Sequence, residues 1–171
     1  MTEAQQLTFE ALSRWCKGMY LGLPLTFLLG FFVSLVVKRW WEQYNLLPWP
    51  DSLAFYLRGL VTGGEREQSR MIRRSVVRYC LLSYILCIRR VSSRLRRRFP
   101  ACQQIIKSGL LRPDEAARIG LEDWWLPLKW STDICCSAVR DDVIKNAPGY
   151  TTLLREIAAF RSSLTKARYM K

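Results

Sequence analysis

An apolar stripe of one leucine and two phenylalanines, Leu23, Phe27 and Phe31, repeats every four residues near the start of the chain. In an α-helix this spacing places the three side chains on one face, one turn apart. Rings of apolar side chains can narrow a pore and gate it by dewetting. The edge of a phenylalanine ring is the positive part of its quadrupole, so it can also face a passing anion. The alternative is that the stripe packs on a neighbouring helix, and the spacing alone does not choose between the two.

The stripe lies in an uncharged stretch, residues 18–37, which has Lys17 and Lys38 at its two ends. About 20 apolar residues at ~1.5 Å each span the ~30 Å hydrocarbon core of a bilayer. We therefore expect residues 18–37 to form a membrane-spanning helix. Pro24 is tolerated there if neighbouring helices or water satisfy the freed carbonyl.

The segments on either side of this stretch fit the same interpretation. Residues 1–17 have helical spacing of apolar positions and predict a short amphipathic helix before the membrane. After the stretch, Trp40, Trp41 and Tyr44 have the composition of a membrane-interface belt. Prolines at positions 48 and 50 then predict the end of the helix and an extended turn.

The rest of the chain, residues 38–171, reads as a series of helices, so the predicted fold class is all-α. A long helical pattern covers about 65–98, and its uncharged middle, residues 79–88, is too short to span a bilayer and predicts a helix buried in protein. A helix start is expected at Pro113, and Pro127 is expected to break the aromatic run WWLPLKW. A turn at 146–149 and a last helix from about 151 to 166 complete the prediction.

Composition excludes several classes of function. The chain has 171 residues, a net charge of +13 and no histidine, so it cannot by itself supply a serine–histidine or cysteine–histidine enzyme. None of its six cysteines forms a C-x-x-C pair, which favours reduced, buried thiols over a zinc or redox site. Phosphate-binding glycine motifs are absent. We therefore predict no enzymatic activity and no metal site or cofactor in this chain.

Arginine is concentrated on the two flanks of the long helical pattern. The plain interpretation is a solvated face, or a stripe paired with carboxylates elsewhere. Attraction of anionic lipid or of permeating anions is the functional alternative, and nucleic acid is disfavoured by the membrane helix upstream. The arginines are Arg70, Arg74, Arg78, Arg89, Arg90, Arg94, Arg96, Arg97 and Arg98.

Taken together, these segments resemble the bestrophin family of anion channels. The resemblance rests on LPLTFLLGFFVSLVVKRWWEQYNLLPWPD, then RRSVVRY, IRRVSSRLRRRFP and IKSGLL, a tryptophan–proline pattern around Pro127, and LLREI near the end. It covers nearly the whole chain. Its most specific residues, taken as family motif positions, are Arg39, Trp40, Trp41, Pro48, Trp49, Pro50 and Asp51.

The resemblance implies a homopentameric, calcium-activated channel for chloride and other small anions, with an axial pore in the lipid bilayer. The family's pore neck is formed by three apolar residues that match Leu23, Phe27 and Phe31, which favours the pore interpretation of the stripe. A second constriction would lie near the turn at 147–149. The family's first membrane helix would precede residue 1, and its later helices and acidic calcium clasp would follow residue 171. We therefore expect a partial bestrophin domain, a fragment or truncated product, in which the clasp is absent.

Two functions remain open at this point. The first is a subunit or fragment of a bestrophin-like chloride channel located in the membrane. We expect this to be the plasma membrane, with the residues after 38 on the cytosolic side. The second is a single-span membrane adaptor that does not conduct, whose arginine-rich part binds anionic lipid or an acidic partner. Neither involves nucleic acid.

Overall fold

The computed structural model describes residues 2–22 and 25–169, and all regular secondary structure in this part of the chain is helical. This confirms the predicted all-α class. The helices are α1 (Glu3–Gly22), α2 (Leu25–Asn45), α3 (Pro50–Leu60), α4 (Arg66–Val91), α5 (Ser93–Arg98), α6 (Cys102–Lys107), α7 (Pro113–Ala116), α8 (Leu126–Arg140) and α9 (Ala147–Tyr169).

The chain divides into two units, one up to Tyr44 and one from Asn45 onward. The first unit contains α1 and nearly all of α2, and every side chain described in it is exposed. The second unit contains α3 to α9 and has a hydrophobic core. Residue 37, the predicted end of the membrane-spanning segment, lies inside α2, whose helical structure continues through the charged residues Lys38, Arg39 and Glu42.

The helix bounds in the first unit differ from the sequence prediction. Residues 18–22 belong to α1, which runs past the expected end at residue 17, and α2 begins at Leu25. Within the described residues, none of the helices is both long enough and apolar enough to cross a membrane.

The core of the second unit is built around α4, which packs most extensively on α8 and also on α3 and α9. The uncharged middle of α4 supplies buried side chains at helical spacing, so the prediction of a helix buried in protein is confirmed. The fully buried residues Leu53 and Leu57 of α3 and Leu153 and Leu164 of α9 complete the packing around it.

The long basic helix predicted over 65–98 is interrupted. Ser92 has extended backbone angles (φ −93°, ψ 113°), and its hydroxyl accepts a hydrogen bond from the Leu95 N–H at 3.4 Å. Serine is favoured at the N-cap of a helix because its hydroxyl accepts a hydrogen bond from a backbone N–H that has no intrahelical acceptor. The segment therefore forms α4 and the short α5 rather than one helix.

Two proline-containing segments also differ from expectation. Pro127 does not break the aromatic run but lies in the first turn of α8. Backbone N–H groups in a first turn have no intrahelical acceptor, so the lack of an N–H in proline costs no hydrogen bond there. The turn expected at 146–149 is the start of α9, four residues before the predicted start. The Asn146 side chain accepts a hydrogen bond from the Gly149 N–H at 3.3 Å, as an N-cap does.

Candidate functional site

The predicted pore-neck residues lie on α2, apart from Leu23, which is outside the described residues. Phe27 and Phe31 share one face of the helix, with ring centroids 6.3 Å apart and planes tilted by 35°. The side chains are 68% and 62% exposed, so no other described residue covers the rings. The face that the sequence singled out is therefore accessible to lipid, to another chain or to a passing ion.

The aromatic residues further along α2 form a compact group. Trp40 and Trp41 have ring centroids 6.0 Å apart, and Tyr44 stacks on both at 5.8 and 5.7 Å. Lys38 and Arg39 precede them on the same helix. Large amphipathic rings next to cations are typical of residues that sit at the level of lipid headgroups.

The PWPD motif has a clear local role, which is to begin α3. Trp49 precedes the helix with extended backbone angles (φ −91°, ψ 124°), and Pro50 occupies the first helical turn. Asp51 adds a carboxylate to that turn, where the helix dipole favours it. Pro48 before it is half-buried, whereas Trp49 is 63% exposed.

Several of the arginines are occupied by contacts within the chain. Arg89 donates from Nε to the Phe99 carbonyl at 2.7 Å and from Nη2 to the Pro100 carbonyl at 2.9 Å, and so satisfies acceptors at the end of α5. Arg96 donates to the Arg90 carbonyl at 2.7 Å. Of the basic run, Arg94, Arg97 and Arg98 are exposed on α5. Both plain interpretations therefore apply, since some arginines are solvated and others, such as Arg78 and Arg90, pair with carboxylates elsewhere.

A buried ion pair between Arg78 and Glu115 joins α4 to α7 in the second unit. Arg78 donates to both carboxylate oxygens, at 2.6 and 2.7 Å. The Tyr79 hydroxyl donates to the same carboxylate at 2.7 Å, and the Arg112 N–H does so at 3.0 Å. Burial alone would raise the pKa of Glu115, but the hydrogen bonds from Arg78, the Arg112 backbone and Tyr79 outweigh it and lower the pKa to about 2.

The sequence analysis does not predict this pair. It assigns Arg78 to a stripe that carboxylates elsewhere could neutralise, and Glu115 lies in the helix start predicted at Pro113. The partners are 37 residues apart, and no spacing rule connects them. The only local signal was Glu115 itself, three residues after Arg112, a position that favours a bond back to the preceding backbone N–H.

The thiols are free, and three of them, Cys80, Cys87 and Cys135, are buried, as expected of small hydrophobic side chains. Burial raises the pKa of each of these thiols above 9. Cys136 is different, because its sulfur lies 2.9 Å from the Tyr150 hydroxyl. That hydrogen bond, with burial, raises the pKa of Tyr150 to about 12.

Among the described residues, no three or more cysteine or acidic side chains come together in a way that could hold a metal ion. The absence of a cofactor from this chain stays a prediction.

With this geometry in place, comparison with known proteins identifies the family. The family model described as "Bestrophin, RFP-TM, chloride channel" matches residues 1–169. The chain belongs to the bestrophin family. Because that family is described as a chloride channel, membership agrees with the prediction that this chain is not an enzyme.

Curated bestrophins from human and nematode are similar over nearly all of this chain. Human bestrophin-1 is 36% identical over 167 residues, which is 95% of this chain and 28% of that protein. Human bestrophin-3 is 34% identical over 95% of this chain and 25% of its own length. Bestrophin homolog 24 of Caenorhabditis elegans is 33% identical over 96% of this chain and 27% of its own length. The chain therefore spans about a quarter of the length of these relatives.

Proposed function

We propose that this chain forms part of a subunit of a bestrophin-like channel for chloride and other small anions, located in the membrane. Membership of a family described as a chloride channel supports this proposal. The single structural observation behind it is the accessible aromatic face of α2, formed by Phe27 and Phe31. Large exposed apolar surfaces are uncommon on proteins that do not use them for binding.

The proposed mechanism places Leu23, Phe27 and Phe31 of five copies around a common axis. When the ring of side chains is narrow, an apolar lining excludes water and blocks ions. When it dilates, the positive edges of the phenylalanine rings face a partly dehydrated anion. Basic residues on the cytosolic side, which we propose to begin after residue 38, raise the local anion concentration.

The proposal extends to the assembly of the channel and to its membrane. We propose that the subunit assembles as a homopentamer in a lipid bilayer, the plasma membrane. The aromatic group of Trp40, Trp41 and Tyr44 is proposed to lie at the membrane interface. The full-length subunit is proposed to respond to calcium, while this chain holds no cofactor of its own.

The test uses patch recordings of a full-length subunit that contains this sequence. The double substitution Phe27→Ala and Phe31→Ala removes two rings from the proposed neck, so we expect a wider neck and weakened gating. Phe32→Ala is the matched control, because Phe32 is also on α2 and 63% exposed but is turned ~140° from Phe27 about the helix axis. Current and gating that match the unsubstituted channel in the double variant would contradict the neck assignment. So would an equal change in the Phe32 variant, which would indicate a general effect of lost apolar surface.

A non-conducting adaptor is the second candidate, favoured by the exposed side chains of Arg94, Arg97 and Arg98 on α5. These cations are available to an anionic lipid surface or an acidic partner. Purified protein in liposomes separates the two functions. A chloride flux that needs the Phe27 and Phe31 rings supports the channel, whereas binding to anionic vesicles without flux supports the adaptor.

A further inference from the structure

A groove runs between α8 and α9 on the surface of the second unit. Its volume is about 330 Å³. Leu128 and Ile157, which are only 2% and 5% exposed, form its floor. Trp125 forms part of its wall and is 47% exposed, and Ala158 lies at its exposed edge. The groove is therefore apolar, solid at its base and open to solvent.

The lining residues follow one helical stripe on each side. They run from Trp125, just before α8, to Thr132, and on α9 from Leu154 to Arg161, with the spacing i, i+3, i+4, i+7 in both. Such a stripe covers two turns, or about 10 Å along a helix axis. The lining therefore follows the axes of both helices, which suits a hydrocarbon chain that lies along them.

The charged residues of the groove are both cations. Lys129 from α8 and Arg161 from α9 belong to the lining, and no acidic side chain does. Within the described part of the chain, neither side chain forms a salt bridge with a carboxylate. An apolar floor with two unneutralised cations is complementary to a ligand with one hydrocarbon part and one negative group.

We propose that this groove binds an amphipathic anion with a single unbranched hydrocarbon chain, of the class of free fatty carboxylates. The chain lies over Leu128 and Ile157 beside Trp125, and the carboxylate pairs with Lys129 and Arg161. The two cations and the absence of an acidic side chain from the lining favour an anionic occupant over a neutral one. The inference is independent of whether the chain conducts anions.

The experiment is photolabelling of the full chain in nanodiscs of neutral phosphatidylcholine, with a diazirine-bearing fatty acid as the probe and peptide mass spectrometry as the readout. We expect labels on α8 and α9 peptides, and we expect decanoate to compete with the probe far better than decanol. The difference between acid and alcohol isolates the contribution of the two cations from that of the apolar floor.

Two pairs of variants test the geometry. Ala158→Trp should fill the groove and reduce labelling at least severalfold, whereas Ala159→Trp, also exposed on α9 but not part of the lining, should leave it unchanged. The double variant Lys129→Gln and Arg161→Gln should weaken competition by decanoate about two- to thirtyfold, since each of the two exposed ion pairs contributes ~0.2–1 kcal/mol. Arg155→Gln, an exposed arginine outside the groove, should not.

Three results would overturn the proposal. The first is labelling that the two tryptophan variants reduce equally, or that maps outside α8 and α9. The second is equal competition by decanol and decanoate. The third is loss of labelling in nanodiscs that contain acidic phospholipid, without any added competing fatty acid. That result would assign the groove to a bilayer lipid instead. Circular dichroism of each variant separates lost binding from lost folding, and chloride flux is not part of the readout.

Discussion

Replacing Glu115 with glutamine tests whether the ion pair with Arg78 stabilises the second unit. The substitution keeps the shape of the side chain and removes its charge. The carboxylate now accepts four hydrogen bonds, two from Arg78, one from the Tyr79 hydroxyl and one from the Arg112 N–H. A glutamine amide would turn an NH₂ group toward some of these donors, so at least one bond is lost and a guanidinium stays in place without a counter-charge.

The size of the effect follows from the burial of the pair. Removing one partner of a buried ion pair costs about 3–5 kcal/mol. The pKa of Glu115 is lowered from 4.5 to about 2, and a shift of this size corresponds to ~3 kcal/mol. The Arg78 and Glu115 side chains keep 15% and 10% of their area exposed beside an open cleft, so solvent screens the pair. We therefore expect the free energy of unfolding to fall by about 2 kcal/mol and Tm by about 5–10 °C.

The same pair predicts a dependence on acid. The folded-state pKa of Glu115 is lowered, so its stabilisation is complete above the unfolded value of 4.5. It is lost as the pH falls from about 4.5 toward 2, where the folded carboxylate takes up a proton. The difference in stability between the unsubstituted protein and Glu115→Gln should be constant at neutral pH and shrink across this acidic window.

The assay is thermal and chemical denaturation of the full chain in micelles, followed by tryptophan fluorescence. Trp130 is a suitable reporter because its ring lies 5.4 Å from that of Tyr79, edge to face. Asp114→Asn is the matched control, since it removes an exposed carboxylate from the same first turn of α7. If both substitutions lower Tm equally, or if the Glu115 effect persists unchanged at pH 2, the reasoning is refuted.

Two further pairs of substitutions test the packing of the second unit by the same denaturation assay. Gly63→Ala should destabilise it by at least about 2 kcal/mol, because a Cβ there would lie 2.7 Å from the Asp142 carbonyl oxygen. Gly59→Ala, in α3 with open space around it, should instead stabilise by about 0.5–1 kcal/mol. Arg89→Gln should cost about 1–2 kcal/mol through its lost bonds to backbone carbonyls, whereas exposed Arg97→Gln should change stability by less than about 0.5 kcal/mol. Equal effects within either pair would contradict the contacts described.

Local sequence signals predicted the helical class and much of the second unit. The uncharged middle of α4 indicated a buried helix, and it is one, because apolar side chains at helical spacing must be covered. Proline at position 113 indicated a helix start, and α7 begins there. The same rule would have placed Pro127 in the first turn of α8, where an interpretation as a helix breaker was wrong.

Contacts between distant segments could not be predicted in this way. The Arg78–Glu115 pair and the groove between α8 and α9 both depend on how helices pack, and neither follows from residue spacing within one segment. The uncharged stretch at 18–37 illustrates a different limit. Its length matched a bilayer, but residues 18 and 37 lie inside α1 and α2, so composition over a window did not determine where helices begin and end.

The aromatic stripe on α2 can now be argued further than spacing allowed. The sequence left two interpretations open, packing on a neighbouring helix or lining a pore. Phe27 and Phe31 are both more than half exposed in the described structure. Their exposed faces are open to lipid, to another protein segment, to another copy of the chain or to the content of a pore. Lipid would treat Phe27 and Phe32 alike, whereas a pore axis distinguishes the two faces of α2, and that difference is what the matched substitutions measure.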